Sequence, residues 1–167
     1  MSPTPHPDES SRTVTCAVLT VSDTRTAATD KSGQLMRSKL LDQGHRVVDY
    51  QILPDNPDQV RQQVHAWLTE SACDVILLNG GTGIAPRDTT YEAIASLLTK
   101  TLPGFGELFR MLSYGEIGSR AMASRAIAGV CDTTLIFCMP GSSKAVALAM
   151  DTLILPELTH LTTQLQG

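Results

Sequence analysis

The chain has 167 residues, 42% hydrophobic and 18% charged, with a formal net charge of −4. That length supports one domain with a sizeable core. The charge leaves no electrostatic footprint for nucleic acid, and no apolar stretch approaches membrane-spanning length.

Residues 1–12 are rich in Pro and Ser and lack an apolar core. They read as a disordered lead, not a signal peptide, and residues 13–167 read as the single domain. Cys16, Cys73, Cys131 and Cys138 are scattered and form no C-x-x-C pair. Free cysteines in apolar strands act as small hydrophobes, so the expectation is a reducing, cytoplasmic setting without disulfides or a structural metal.

Residues 13–21 are rich in β-formers and predict the first strand. It runs into Ser22, Asp23, Thr24 and Arg25, polar residues at a strand end, where open α/β sheets gather ligands. Residues 31–43 predict a helix with Leu35, Met36, Leu40 and Leu41 on one side, closed by Gly44 at C′. Residues 45–53 predict the second strand, with Asp55 just beyond it. Asn56 and Pro57 suit the N-cap and N1 positions of the next helix. Val60, Val64, Trp67 and Leu68 form its amphipathic stripe, which makes Trp67 a core residue.

Residues 74–79 are a short apolar run closed by Gly80, Gly81, Thr82 and Gly83, the pattern of a buried parallel strand and its turn. Such glycines allow φ > 0 and close backbone approach, so Gly83→Val is expected to lose ligand binding. Successive N–H groups there form an anion-binding nest beside a helix N-terminus. The loop matches neither the P-loop nor G-x-G-x-x-G. Thr89 and Glu92 fit a capping box, which leaves Asp88 free to face the loop. A helix is predicted over residues 90–100, with Tyr91, Ile94, Leu97 and Leu98 inward.

Pro103 and Gly104 break the chain. Phe105, Leu108, Phe109 and Leu112 then define another helix, whose opposite side carries Glu107 and Arg110, spaced to pair. Gly115 and Gly118 end it, and a short helix follows from Ser119 and Arg120 toward Ser124 and Arg125. Without a long helix between residues 126–130 and 133–138, those two segments predict a local antiparallel hairpin. Pro140, Gly141, Ser142 and Ser143 make a second strand–glycine–helix anion site. Val146, Met150 and Leu153 mark the following helix, which Pro156 kinks or restarts. Leu158, Leu161 and Leu165 continue an apolar stripe, either core or oligomer face. The alternation predicts a three-layer α/β domain: a mostly parallel sheet flanked by helices, with one antiparallel hairpin.

Taken in order, Ser22-Asp23-Thr24, Pro54-Asp55, Asn79-Gly80-Gly81-Thr82-Gly83, Pro86-Arg87-Asp88, Pro103-Gly104 with Glu107 and Arg110, Ser124-Arg125 and Pro140-Gly141-Ser142 resemble one family. It is the MoaB/Mog family of molybdenum cofactor biosynthesis proteins, in its stand-alone bacterial MoaB branch. The resemblance spans nearly the whole chain. It implies a molybdopterin-binding fold, usually trimeric and sometimes a hexamer of paired trimers, and contact with other proteins of molybdenum cofactor biosynthesis. In active members it implies transfer of AMP from Mg-ATP to the terminal phosphate of molybdopterin. Asp55 and Asp88 match the family's functional aspartates and are the expected catalytic residues and Mg²⁺ ligands. Gly80, Gly81, Thr82 and Gly83, with Gly141, Ser142 and Ser143, match its phosphate loops. Ser22, Asp23, Thr24 and Glu107 complete the expected molybdopterin and ATP site. Arg87, Arg110 and Lys144 are the candidate cations for developing charge. A molybdopterin carrier without turnover is the alternative. A flavodoxin-like nucleotide binder is a third reading, for which few aromatic rings are present.

Overall fold

The computed structural model describes residues 12–167. The lead expected at the N-terminus lies outside them except for Arg12, whose guanidinium pairs with Asp74 at 2.9 Å.

Six strands form one sheet in the order β2-β1-β3-β6-β5-β4. They are β1 (Thr15–Val21), β2 (Arg46–Leu53), β3 (Val75–Asn79), β4 (Lys100–Thr101), β5 (Ile127–Cys131) and β6 (Thr134–Met139). The pairs β1–β2, β1–β3 and β3–β6 are parallel, while β5 runs antiparallel to both neighbours. The hairpin read from the missing crossover helix is therefore present, turned at Asp132, the one described non-glycine residue with positive φ.

The helices are α1 (Lys31–Asp42), α2 (Pro57–Glu70), α3 (Thr90–Ala95), α4 (Pro103–Ile117), α5 (Ser143–Ala149) and α6 (Leu155–Leu165). Side-chain alternation along the central strands sorts the core into two layers. Val75, Leu77, Leu135, Phe137 and Met139 face α1, α4, α5 and α6. Ile76, Leu78, Ile136 and Cys138 face α2 and α3, where Val60, Val64 and Trp67 pack as the stripe predicted. Burial pushes the Cys138 thiol up to about 12 and the Cys73 thiol up to about 11. Both thiols are therefore protonated, Cys138 as its strand setting implied and Cys73 in the loop before β3.

Local signals set several boundaries. Gly44 takes φ +80° just past α1, where a Cβ would be disfavoured. Asn56 caps α2 by accepting from the N–H groups of Asp58 and Gln59. Leu158 is fully buried and Leu161 and Leu165 pack against the same layer, so that stripe belongs to the core.

Three expectations need correction. The helix predicted over residues 90–100 ends at Ala95, because Thr99 donates to the Val130 carbonyl and Lys100 joins β5 as an edge strand. Sheet pairing overrides local helix preference there. The Thr89–Glu92 capping box does not form: Thr89 turns to Asp55, and Glu92 turns to Arg125. Glu107 and Arg110 do not pair, since Arg110 donates instead to the carbonyls of Ser124 and Ala126.

Between α5 and α6 the helix widens into a π-turn over Met150–Ile154, and Pro156 sits in the first turn of α6. The restart expected at Pro156 thus follows a widened turn, with the proline in the first turn of α6, where its missing N–H is tolerated.

Candidate functional site

Four parallel strands finish level. Val21 lies opposite Leu53, Thr20 opposite Asn79, and Asn79 opposite Met139. The chain leaves β1 for β2 on one side and later returns as β3 on the other, so the strand order reverses between β1 and β3. Splayed loops at such a reversal open a crevice at the carboxyl edge of the sheet. A cleft of about 400 Å³ lies there.

Most of the sequence-predicted site residues meet at that edge. Ser22 and Thr24, all four residues of the glycine loop, Asp88 and Gly141 line the cleft. The two glycine corners touch: a Cβ built on Gly141 would come within 3.2 Å of the Gly80 Cα. Asp55 is not among the residues lining the cleft but stands against the glycine loop beside it. Its Oδ1 accepts from the Thr89 N–H at 3.1 Å and the Thr89 hydroxyl at 2.8 Å. Its Oδ2 lies 2.8 Å from a Cβ built on Gly81. Asp88 lies against Gly83, and its Oδ2 accepts from the Ala85 N–H at 3.1 Å. Each aspartate thus keeps one oxygen without a protein donor, and the glycines they stand against, Gly81 and Gly83, are two positions apart in the glycine loop. That donor set suits Mg²⁺, which takes one or two carboxylates together with phosphate oxygens.

The remaining residues are placed differently. Asp23 turns its carboxylate to the Asp55 N–H at 2.9 Å, tying two loops together. Ser142 caps α5, accepting from the Ala145 N–H, and lines an adjoining cavity of about 300 Å³ with Ser143 and Lys144. Glu107 is exposed on α4 and is not among the residues lining the cleft. Arg87 is exposed, and Arg110 supports the Ser124 carbonyl.

The glycine loop offers a row of donors. Gly80 and Gly81 have φ of +96° and +67°. Gly83 does not have positive φ, which corrects the expected reason for its smallness: a Cβ there would meet Asp88 Oδ2 at 2.6 Å. Among the described residues, the N–H groups of Gly81, Thr82, Gly83 and Ile84 donate to no protein acceptor. Four consecutive free amides at a strand-to-helix turn form a concavity of partial positive charge.

Sequence reasoning named Arg25 and Arg125 but missed that these side chains hold the corners. Arg25 lines the cleft and donates to the Gly141 carbonyl at 2.9 Å and to Asn79 Oδ1 at 3.5 Å. Behind it lies Asp30, fully buried, which accepts from the Gly33 N–H and the Tyr50 hydroxyl and faces Arg25 at 3.7 Å. Burial, then the bond to Asp30, holds the Tyr50 phenol well above its ordinary value. Ser32 gives Gly141 a second donor at 2.6 Å. Behind the glycine loop Arg125 grips the loop and Glu92, and its hydrogen bond holds the Glu92 carboxyl below the usual range. An aspartate just before a helix is a legible cap signal for Asp30. Nothing local marks Arg125.

Sheet order, glycine corners and paired carboxylates define an open α/β protein whose cleft sits at the switch point of its strands. The sequence pattern of the family described as "Probable molybdopterin binding domain" matches residues 17–160. The chain is 52% identical over 166 residues to molybdenum cofactor biosynthesis protein B of Bacillus cereus, covering 99% of this chain and 98% of the relative. It superposes on a crystal structure of molybdenum cofactor biosynthesis protein B with a TM-score of 0.91, at 52% identity over 95% of this chain and 99% of the other. The tungsten cofactor synthesizing protein MoaB of Pyrococcus furiosus gives a TM-score of 0.85 at 34% identity, covering 95% of this chain and all 100% of that one. The chain belongs to the MoaB/Mog family of molybdenum cofactor biosynthesis proteins, and its fold is the molybdopterin-binding fold.

Proposed function

We propose that this protein serves molybdenum cofactor biosynthesis by binding molybdopterin in the cleft and transferring AMP from Mg-ATP to its terminal phosphate. The observation that carries this reading is the row of free amides flanked by two half-free carboxylates. Two polyanions must meet in such a reaction, so backbone donors, a cation and a metal have to offset their charge. The amides of Gly81, Thr82 and Gly83, which line the cleft, receive the pterin phosphate, with that of Ile84 next along the loop. Arg25, the positive side chain among the residues lining the cleft, takes the cation's role in place of Arg87, Arg110 and Lys144, the last of which lines the adjoining cavity. Asp55 and Asp88 would hold Mg²⁺, which supplies charge neutralisation between the phosphates. Among the described residues no third His, Cys, Asp or Glu groups with them, so substrate oxygens complete the coordination. The setting is cytoplasmic, where ATP is available. Among the described residues no helix is long and apolar enough to cross a membrane.

Removing the phosphate from molybdopterin should weaken binding at least about a hundredfold, since charge-assisted bonds to the amide row are lost. Calorimetric titration of both pterins checks this. Equal affinities would show that the ring, not the phosphate, is what the cleft holds.

The working form is a homo-oligomer, a trimer or a hexamer. α4 carries Leu108, Met111, Tyr114 and Ile117 as an exposed ridge at three-residue steps, and Met122 beyond it is 84% exposed. Leu108 was expected inward; its exposure makes the ridge continuous. A patch of that kind on a protein surface marks an interface. Met111→Glu places a charge in the middle of it and should shift the protein to monomer, measured by light scattering on a sizing column. An unchanged mass would place the interface elsewhere.

A further inference from the structure

The Arg125 side chain lies behind the glycine loop. It lines an outer cavity with Ile84, Pro86 and Glu92, and is not among the residues lining the cleft. Its Nε donates to the carbonyls of Thr82 and Gly83, each at 3.1 Å. Its Nη2 donates to the Gly83 carbonyl at 2.6 Å and the Asp88 carbonyl at 3.4 Å. Its Nη1 bonds Glu92, and the guanidinium carbon lies 5.1 Å from the centre of the Tyr91 ring. One planar fork therefore ties the start of the loop to its end and to the first turn of α3.

No described peptide bond is cis. In a trans peptide the N–H points opposite to the C=O. Carbonyls of Thr82 and Gly83 drawn to Arg125 thus turn the N–H groups of Gly83 and Ile84 away from it. Gly83 lines the cleft on that other side. The same fork holds the backbone of Asp88, whose carboxylate packs on Gly83.

We propose that Arg125 is a positioning residue: it grips the carbonyl side of the glycine loop so that the amide side faces the phosphate. The proposal rests on reading the cleft as a phosphate-receiving site. A lysine would keep the charge but cannot reproduce the fork, because its three donors radiate from one nitrogen. Arg25 offers the contrast, since it lines the cleft and meets the ligand with its charge.

The test is a titration of the full-length, ¹⁵N-labelled protein with inorganic pyrophosphate, followed at the amides of Gly81, Thr82, Gly83 and Ile84. In the wild type those resonances shift. In Arg125→Lys, which keeps the charge and loses only the fork, the dissociation constant rises at least about tenfold with the melting temperature nearly held, and in Arg125→Gln, which loses both, it rises at least as much. Should Arg125→Lys fail to fold, Glu92→Gln loosens the fork without removing it and is expected to raise the constant about threefold. Wild-type affinity in Arg125→Lys, or in Glu92→Gln where the lysine variant is unfolded, overturns the proposal. Pyrophosphate binding that depends on the fork, without adenylyl transfer, supports it while removing the proposed reaction. Wild-type amides that ignore pyrophosphate remove both.

Discussion

Asp88→Asn is expected to lower the proposed adenylyl transfer by roughly a hundredfold or more, the loss that follows removal of one charge-stabilising group. The asparagine is nearly isosteric. Its amide oxygen can still accept from the Ala85 N–H, which Asp88 Oδ2 does at 3.1 Å, so the loop should hold its path. What disappears is the negative charge beside Gly83 and the free oxygen offered to a metal. Asp88→Ala removes the loop bond as well and should cost about 1 kcal/mol of stability in addition. Asp55 behaves differently, because its Oδ1 takes two donors from Thr89 and so also fixes the start of α3. Rates for Asp88→Asn, measured with melting curves on the same preparation, separate the roles. Wild-type turnover with an intact fold would take Asp88 out of the mechanism.

Gly80→Ala should be the most damaging single methyl group in the chain's central loop. Gly80 has φ +96°, and a Cβ built there would stand 2.1 Å from the Val21 carbonyl oxygen. That oxygen belongs to the backbone at the end of β1 and cannot rotate away. Relief requires parting β1 from the β3 loop, which is the crevice itself. Strain at positive φ and steric overlap together suggest a loss of roughly 2–5 kcal/mol. In a domain of this size that lowers the melting temperature by roughly 5–15 °C. Calorimetry on Gly80→Ala checks it, with Gly104→Ala as a control, since a Cβ on Gly104 meets nothing within 4 Å. Equal melting temperatures in the two variants would mean the close approach of β1 and β3 is not what the glycine serves.

Much of this was legible because the chain announces its own punctuation. An apolar run ending in glycines gave β3 and its loop, and Asn56 before Pro57 gave the start of α2. The absence of a crossover helix between residues 126–130 and 133–138 gave the antiparallel pair β5 and β6. Aspartates beyond strand ends pointed to Asp55 and Asp88, and both stand at the glycine loop. The failures share one cause, competition from partners far along the chain. Thr89 and Glu92 satisfy a local capping pattern, yet each finds a stronger partner: Asp55 is 34 residues from Thr89, and Arg125 is 33 residues from Glu92. Arg25 and Arg125 sat inside recognised motifs, but their targets lie at Gly141 and Gly83, contacts 116 and 42 residues apart that no local spacing records. Gly83 was read through backbone freedom when the constraint is the carboxylate of Asp88 packed on its Cα side.

The direct measurement is to mix purified wild-type protein with molybdopterin and Mg-ATP and follow the pterin by mass spectrometry. Adenylylated molybdopterin, appearing with one pyrophosphate released per product and disappearing when Mg²⁺ is chelated, is what the proposed reaction predicts. Tight retention of unmodified molybdopterin, with ATP left whole, would make this protein a carrier and contradict the transfer reaction assigned to Asp55 and Asp88.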